Sequence, residues 1–267
     1  MGLKFCSLSS GSSGNCYLIG SDNTFILIDA GISAKKITDS LSSIGLGLPD
    51  LSGILITHEH SDHIKGLDVL SKKSSIPIFA NSETRSAIGD LCKNSDLMDF
   101  RDFSCGEAFE IGDILVRAFP VSHDAANTVG FSLKNGASTI CTATDTGFVT
   151  PDMQKALYGA DLVVIEANHD ENILKMGKYP WFLKQRILSE NGHLSNEAAG
   201  EAIARTMLDS PKKRRFLLAH LSKENNFPEM AYQTIVNILE KRNLRLGENL
   251  KIELLKRDSL SKIYVID

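Results

Sequence analysis

The chain has 267 residues, 42% apolar, 23% charged and 7% aromatic, a balance that excludes disordered and collagen-like classes. Lys and Arg number 29 against 33 Asp and Glu, and the net charge of -4 excludes a global basic field while leaving room for a locally basic channel. Five cysteines without a C-x-x-C pair, no charged-then-apolar leader and no run near the roughly 20 apolar residues of a membrane span predict reduced thiols, no membrane partner and a cytoplasmic location.

Residues 3–8 form a short apolar run, and the turn 9–14 (SSGSSG) separates it from 16–20, a spacing that predicts two adjacent strands. Residues 25–28 read as a buried strand ending in Asp29-Ala30-Gly31, and 33–44 carry helical periodicity through Ile37, Leu41 and Ile44. A strand at 54–57 leads into a His-rich turn and a helix from about Ser61 to Lys72, and 76–80 is a further strand. Between Phe100 and Phe148 the pattern changes to short strands at 107–111, 114–120, 128–134 and 139–143. Then follow a helix at 151–158, a strand at 162–165, a basic helical region near 171–189 and a helix at 195–208. A strand at 216–219, a helix at 228–242 and strands at 252–255 and 263–266 close the chain. Near-continuously apolar strands alternating with helices predict an α/β fold of sheets covered by outer helices, as one domain over 1–267.

The segment His58-Glu59-His60-Ser61-Asp62-His63 packs four metal-ligand side chains into six residues. His58 and His60 are two apart on extended chain and can point the same way, whereas Asp62 and His63 enter a helical turn and can face a second point. Imidazole and carboxylate suit Zn, Mn, Fe or Ni, and the absence of Cys argues against a closed structural zinc site. His123, Asp145 and His220 each close an apolar strand. A single polar strand end ordinarily faces water, but three of them beside an H-x-H-x-D-H cluster favour one shared metal site.

Taken in order, Asp29, the 58–63 cluster, His123, Asp145 and His220 resemble the motif series of the metallo-β-lactamase superfamily. The resemblance covers nearly the whole chain and implies an αββα four-layer sandwich of two mixed sheets with outer helices. It also implies two divalent metal ions (Zn, Mn or Fe): one on His58, His60 and His123, the other on Asp62, His63 and His220, with Asp145 bridging and Asp29 orienting the loop from behind. The strings Ser7-Leu8-Ser9-Ser10-Gly11-Ser12-Ser13-Gly14-Asn15-Cys16, Glu166-Ala167-Asn168-His169-Asp170, Gly177-Lys178-Tyr179-Pro180 and His220-Leu221-Ser222-Lys223-Glu224-Asn225-Asn226 are similar to the YycJ (WalJ) branch. That similarity implies a 5′ to 3′ exodeoxyribonuclease, with DNA as the expected partner.

Gly192-His193-Leu194-Ser195 is similar to the G-H-x-S/T segment of ribonuclease Z-like phosphodiesterases, which implies that His193 sits beside the scissile phosphate. With Asp62 and Asp145 it makes the expected catalytic set, and Ser195 doubles as a helix cap. Residues 172–188 carry Lys175, Lys178, Lys184 and Arg186 without an acidic residue, interleaved with Tyr179, Trp181 and Phe182. This is a candidate nucleic-acid groove; the alternative is a charged helix face with its aromatics in the core. Residues 212–215 (KKRR) read as a solvated turn. Candidate substrate contacts are Asn15, Asn168, His169, Lys184, Arg186 and Ser222. Competing functions are a hydrolase of small phosphodiesters such as cyclic nucleotides, and a metal-binding protein without hydrolysis, which the absence of Cys ligands and of a flavin partner domain disfavours.

Overall fold

The structure, a computed structural model, describes residues 2–266. In the first half, β1 (Leu3–Ser9), β2 (Cys16–Gly20) and β3 (Phe25–Ile28) follow one another antiparallel. Helix α1 (Ala34–Ser43) then crosses to β4 (Leu51–Leu55), and α2 (Ser61–Ile64) and α3 (Leu67–Leu70) lead to β5 (Ile78–Ala80). Helix α4 (Ser82–Leu91) leads to β6 (Phe100–Asp102), and β3 to β6 are parallel.

The second half opens with the antiparallel strands β7 (Ala108–Ile111), β8 (Ile114–Pro120), β9 (Val129–Asn135) and β10 (Ser138–Ala143). Helix α5 (Pro151–Gly159) returns the chain to β11 (Leu162–Glu166), and α6 (Glu171–Met176), α7 (Trp181–Leu188) and α8 (Asn196–Asp209) precede β12 (Arg214–Ala219). Helix α9 (Pro228–Lys241) leads to β13 (Leu250–Leu254), parallel to β12 as β12 is to β11 and β11 to β10. The last strand, β14 (Tyr264–Ile266), crosses back to pair with β1. Among the described residues the sheets have seven strands each, ordered β14-β1-β2-β3-β4-β5-β6 and β13-β12-β11-β10-β9-β8-β7.

Three apolar clusters separate four layers. One, with Phe5, Ile26, Val116, Phe131 and Leu217, draws on both sheets and fills the space between them. A second packs α1, α3 and α4 on the first sheet through Ile37, Leu67 and Ile88, and a third packs α5, α8 and α9 on the other through Leu157, Ile203 and Ile235. Strands such as Leu162–Glu166 are buried along their full length, which is why they read as unbroken apolar runs. Helix starts follow side-chain caps: Ser33, Asn81, Thr150 and Ser195 each accept a backbone N–H of the first turn.

The expected helix from 61 to 72 is broken in two at Gly66. Its N–H donates to the Ala30 carbonyl at 2.7 Å, and a Cβ there would lie 2.6 Å from the Ile32 carbonyl, so this backbone packs directly on the 30–32 loop. Helix α4 was not expected, because Thr84 and Ile88 are its buried residues and they leave little periodicity to read. The basic region 171–189 is two helices, separated by a link that ends in Pro180, whose ring cannot continue a preceding helix. The solvated-turn expectation for 212–215 fails at Arg214, which is buried and donates to the carbonyls of Tyr158, Ala160 and Ser210 where α5 and α8 end. No described helix is long and apolar enough to cross a membrane.

Candidate metal centre

Six strands deliver residues to one edge of the molecule from their carboxyl ends: Asp29 follows β3, His58 β4, His123 β8 and Asp145 β10, Glu166 ends β11, and His220 follows β12. Asp29, Asp145 and His220 have φ of 60°, 56° and 53°, in the left-handed region that costs a non-glycine residue about 1 kcal/mol or more. Each turns sharply off its strand, which swings the side chain toward the sheet edge. Of the four described non-glycine residues in the left-handed region, three lie in this one cluster; the fourth, Asn243, follows α9.

The hydrogen-bond network assigns the imidazole tautomers. Thr57 Oγ1 donates to the Asp29 carboxylate (2.9 Å), so toward His58 Nδ1 (3.0 Å) it can only accept. His63 Nδ1 donates to Asp29 Oδ2 at 2.7 Å, His123 Nδ1 to the Gly192 carbonyl at 3.0 Å, and His220 Nδ1 to Glu166 Oε1 at 2.7 Å. All four rings carry a proton on Nδ1, which turns each Nε2 toward the centre; the His63 Nε2 also meets the Asn15 amide nitrogen at 3.1 Å. The His58 and His123 Nε2 atoms lie 3.1 and 3.3 Å from His60 Nδ1, and His63 Nε2 lies 3.3 Å from Asp145 Oδ2.

Ligand-type atoms consequently gather in overlapping groups, each within 4.8 Å: His58, His60 and His123; Asp62, His63 and His220; His58, His63 and Asp145; and Asp145, Glu166, His193 and His220. Asp145 Oδ2 and His220 Nε2 are buried without a hydrogen-bond partner, a costly state for polar atoms in a protein interior. The electrostatics show how strongly the carboxylates and imidazoles of the site act on one another. Burial, reinforced by the His63, His123 and His60 rings, pushes His58 well below its ordinary pKa. Burial opposes charge on His63 and His220, yet Asp145 and its acidic neighbours raise both, His220 to about 10. Burial likewise opposes ionisation of Asp62 and Glu166, and their histidine partners still hold both carboxyls far below the usual range. Lone pairs and ionised carboxylates converging on orphaned buried atoms fit divalent metal binding.

His60, Asp62, His123, Asp145, His193 and His220 face a cavity of about 240 Å³, together with Asn168, Arg186 and Ser222. His193 Nδ1 is held by Glu166 Oε1 at 2.9 Å, so Nε2 is its unengaged nitrogen. Arg186 pairs with Asp124 on the cavity wall. Three expected substrate contacts lie elsewhere. Asn15 is buried beneath the rings, 3.1 Å from His63 Nε2, with its Oδ1 accepting from Gly11 N–H. His169 is buried off the cavity wall, and burial lowers its pKa to about 4. Lys184 is buried, and its ammonium donates to the Lys175 and Gly177 carbonyls at 2.7 Å each, which commits its charge to capping α6 instead of binding phosphate. The aromatics of this region are not in the core either: Trp181 and Phe182 are exposed.

Sequence reasoning missed Glu166 and Thr57. Glu166 has no exposure and receives four donors: His193 and His220 on Oε1, and the Thr146 and Leu194 N–H groups on Oε2 at 3.0 and 3.1 Å. Its signal was its place at the end of an apolar strand, the same position that identified Asp145. Thr57 carried no comparable mark beyond preceding His58.

The β-lactamase superfamily domain model matches residues 24–221. Exodeoxyribonuclease YycJ of Bacillus anthracis is 42% identical over 252 residues, which cover 94% of this chain and 95% of that protein. Exodeoxyribonuclease WalJ of Streptococcus pneumoniae serotype 2 is 43% identical over 258 residues, 94% of each chain. The solved metallo-β-lactamase fold protein YhfI from Bacillus subtilis aligns with a TM-score of 0.74 over 99% of this chain and 100% of that one; at 15% identity, that likeness is one of fold.

Proposed function

The chain belongs to the β-lactamase superfamily, and from that footing we propose that it is a metal-dependent phosphodiesterase acting on DNA as a 5′ to 3′ exodeoxyribonuclease. Two exodeoxyribonucleases similar to it over 94% of its length support the substrate class. In this reading His58, His60 and His123 hold one divalent ion, Asp62, His63 and His220 hold a second, and Asp145 is shared. Bound there, Zn, Mn or Fe would supply Lewis-acid polarisation of a phosphoryl oxygen and a nucleophile at neutral pH.

The chain's own residues have separable tasks. Thr57, Asp29, Glu166 and the Gly192 carbonyl hold the Nδ1 protons, and by doing so aim four Nε2 lone pairs into the centre. Glu166 also orients His193 and, against burial, raises its pKa, so the doubly protonated ring can donate from Nε2 to a phosphate oxygen or to the leaving 3′ oxygen. Arg186 on the wall offers a charge to a neighbouring phosphate once it exchanges Asp124 for it.

The observation that carries the reading is His193, held by the buried Glu166 and facing the same cavity as the donors His60, Asp62, His123, Asp145 and His220: it adds a proton donor to a site built for polarising an oxyanion. The test is metal-reconstituted protein against end-labelled DNA, end-labelled RNA and bis-p-nitrophenyl phosphate. We expect mononucleotides released from the 5′ end of DNA. Hydrolysis of the small ester with DNA left intact would replace this reading by a small-phosphodiester hydrolase.

A further inference from the structure

Among the described large apolar residues, Met176, Phe182 and Trp181 are the most exposed, at 87%, 71% and 65%. All three flank one short link, the end of α6 and the start of α7. The same hairpin turns Tyr179, Leu183 and Arg186 into the wall of the metal-centre cavity, so Trp181 and Phe182 lie within one helical turn, about 5.4 Å of rise, of residues that face the centre. The hairpin is also fixed: Pro180 restricts the link, and the buried Lys184 ammonium ties the Lys175 and Gly177 carbonyls to α7. Two large rings held rigidly in water beside an active-site mouth cost solvation free energy, and folding alone gives no reason for them.

The surrounding charge narrows the occupant. Lys175 pairs with Glu171, Arg186 pairs with Asp124 and Lys184 is buried, which leaves Lys178, exposed between the two helices, as the cation of this stretch without an ion pair among the described residues. Exposed aromatic rings within one helical turn of the cavity wall, with an exposed lysine in the same link, match a polyanion with flat π-faces. We propose that Trp181 and Phe182 are a stacking platform for unpaired bases of the DNA strand entering the metal centre. The proposal rests on the phosphodiesterase reading and extends it to strand form: the strand meets the site with its bases unstacked from a partner, supplied either single-stranded or frayed from a duplex end.

Trp181 is the one tryptophan of the chain, so its fluorescence reports on the platform directly. The measurement uses metal-loaded full-length protein and a short single-stranded DNA with phosphorothioate linkages that resist cleavage. Tryptophan quenching should saturate with the same Kd as the anisotropy of the labelled strand. The double variant Trp181→Ala, Phe182→Ala should bind about 5- to 150-fold more weakly for each stacked base lost, from about 1–3 kcal/mol per base. An abasic strand of equal length should bind the unaltered protein as weakly as the double variant binds the normal strand.

Binding without quenching, or equal affinity of variant and unaltered protein, would overturn the platform. So would quenching that follows protein concentration instead of DNA, with a doubled mass by light scattering, which would assign the surface to a second copy of the chain. Hydrolysis of bis-p-nitrophenyl phosphate by the unaltered protein separates the two ideas. Hydrolysis without quenching leaves the catalytic reading standing and removes the platform, and quenching without hydrolysis does the reverse.

Discussion

Replacing Glu166 by Gln keeps the shape of the side chain and removes half of its accepting capacity. The carboxylate takes two imidazole N–H groups on Oε1 and two backbone N–H groups on Oε2. An amide has one accepting oxygen, so in either orientation its NH2 faces two donors. If the oxygen stays with the histidines, the N–H groups of Thr146 and Leu194, both fully buried residues, lose their partner at about 1–3 kcal/mol each, or about 2–6 kcal/mol together. If the amide turns the other way, His193 and His220 must move their protons to Nε2, the nitrogens aimed at the centre. The first outcome lowers Tm by about 2–4 °C per kcal/mol. The second lowers metal content and turnover. Calorimetry with and without metal, elemental analysis and kcat on bis-p-nitrophenyl phosphate read all three quantities. A Glu166→Gln protein with unaltered Tm, metal content and turnover would refute this account of the site.

Asp145→Ala should release or misplace at least one ion, since no other carboxylate of the donor set is grouped with both His58 and His220, and two ions per chain with full activity would contradict that. His193→Ala should keep its metals by elemental analysis and lose roughly 100- to 10,000-fold in turnover, the range of a general acid; loss of metal would make it a ligand instead. Gly31→Ala would place a Cβ 1.6 Å from the Asp62 carbonyl oxygen, which accepts from Asn15 N–H at 2.8 Å. That variant should show a lower Tm and weakened metal binding by titration calorimetry, and an unperturbed protein would mean that the 29–31 loop moves freely.

The donor cluster was legible because its chemistry is rare: His and Asp at two- and three-residue spacings behind a buried strand have few other uses, and strand ends gave His123, Asp145 and His220. What the sequence hid was direction. Lys184 and Arg186 are equally basic in the chain, but the long stem of Lys184 lets its ammonium fold back onto the carbonyls of α6, while Arg186 reaches the cavity. Arg214 likewise read as surface charge, although its guanidinium closes the ends of two helices inside the protein. Glu166 lay at the same kind of strand end as Asp145 and was passed over, because a second residue's need for it, here the Nδ1 protons of His193 and His220, is visible only in three dimensions.

The donors come from both halves of the sandwich: His58, His60, Asp62 and His63 from the loop after β4, and His123, Asp145 and His220 from the ends of strands in the other sheet. An ion gripped across that seam is also a staple, because it binds only when the two sheets are docked. By linkage, a metal at a thousand times its Kd adds about 4 kcal/mol to the docked state, and any loosening of the docked state is subtracted from metal affinity in equal measure. The shared core around Phe131 and Ile26 is therefore an indirect part of the metal site. Substitutions there that never touch a donor would be read by the cell as a change in the metal concentration at which the protein is loaded.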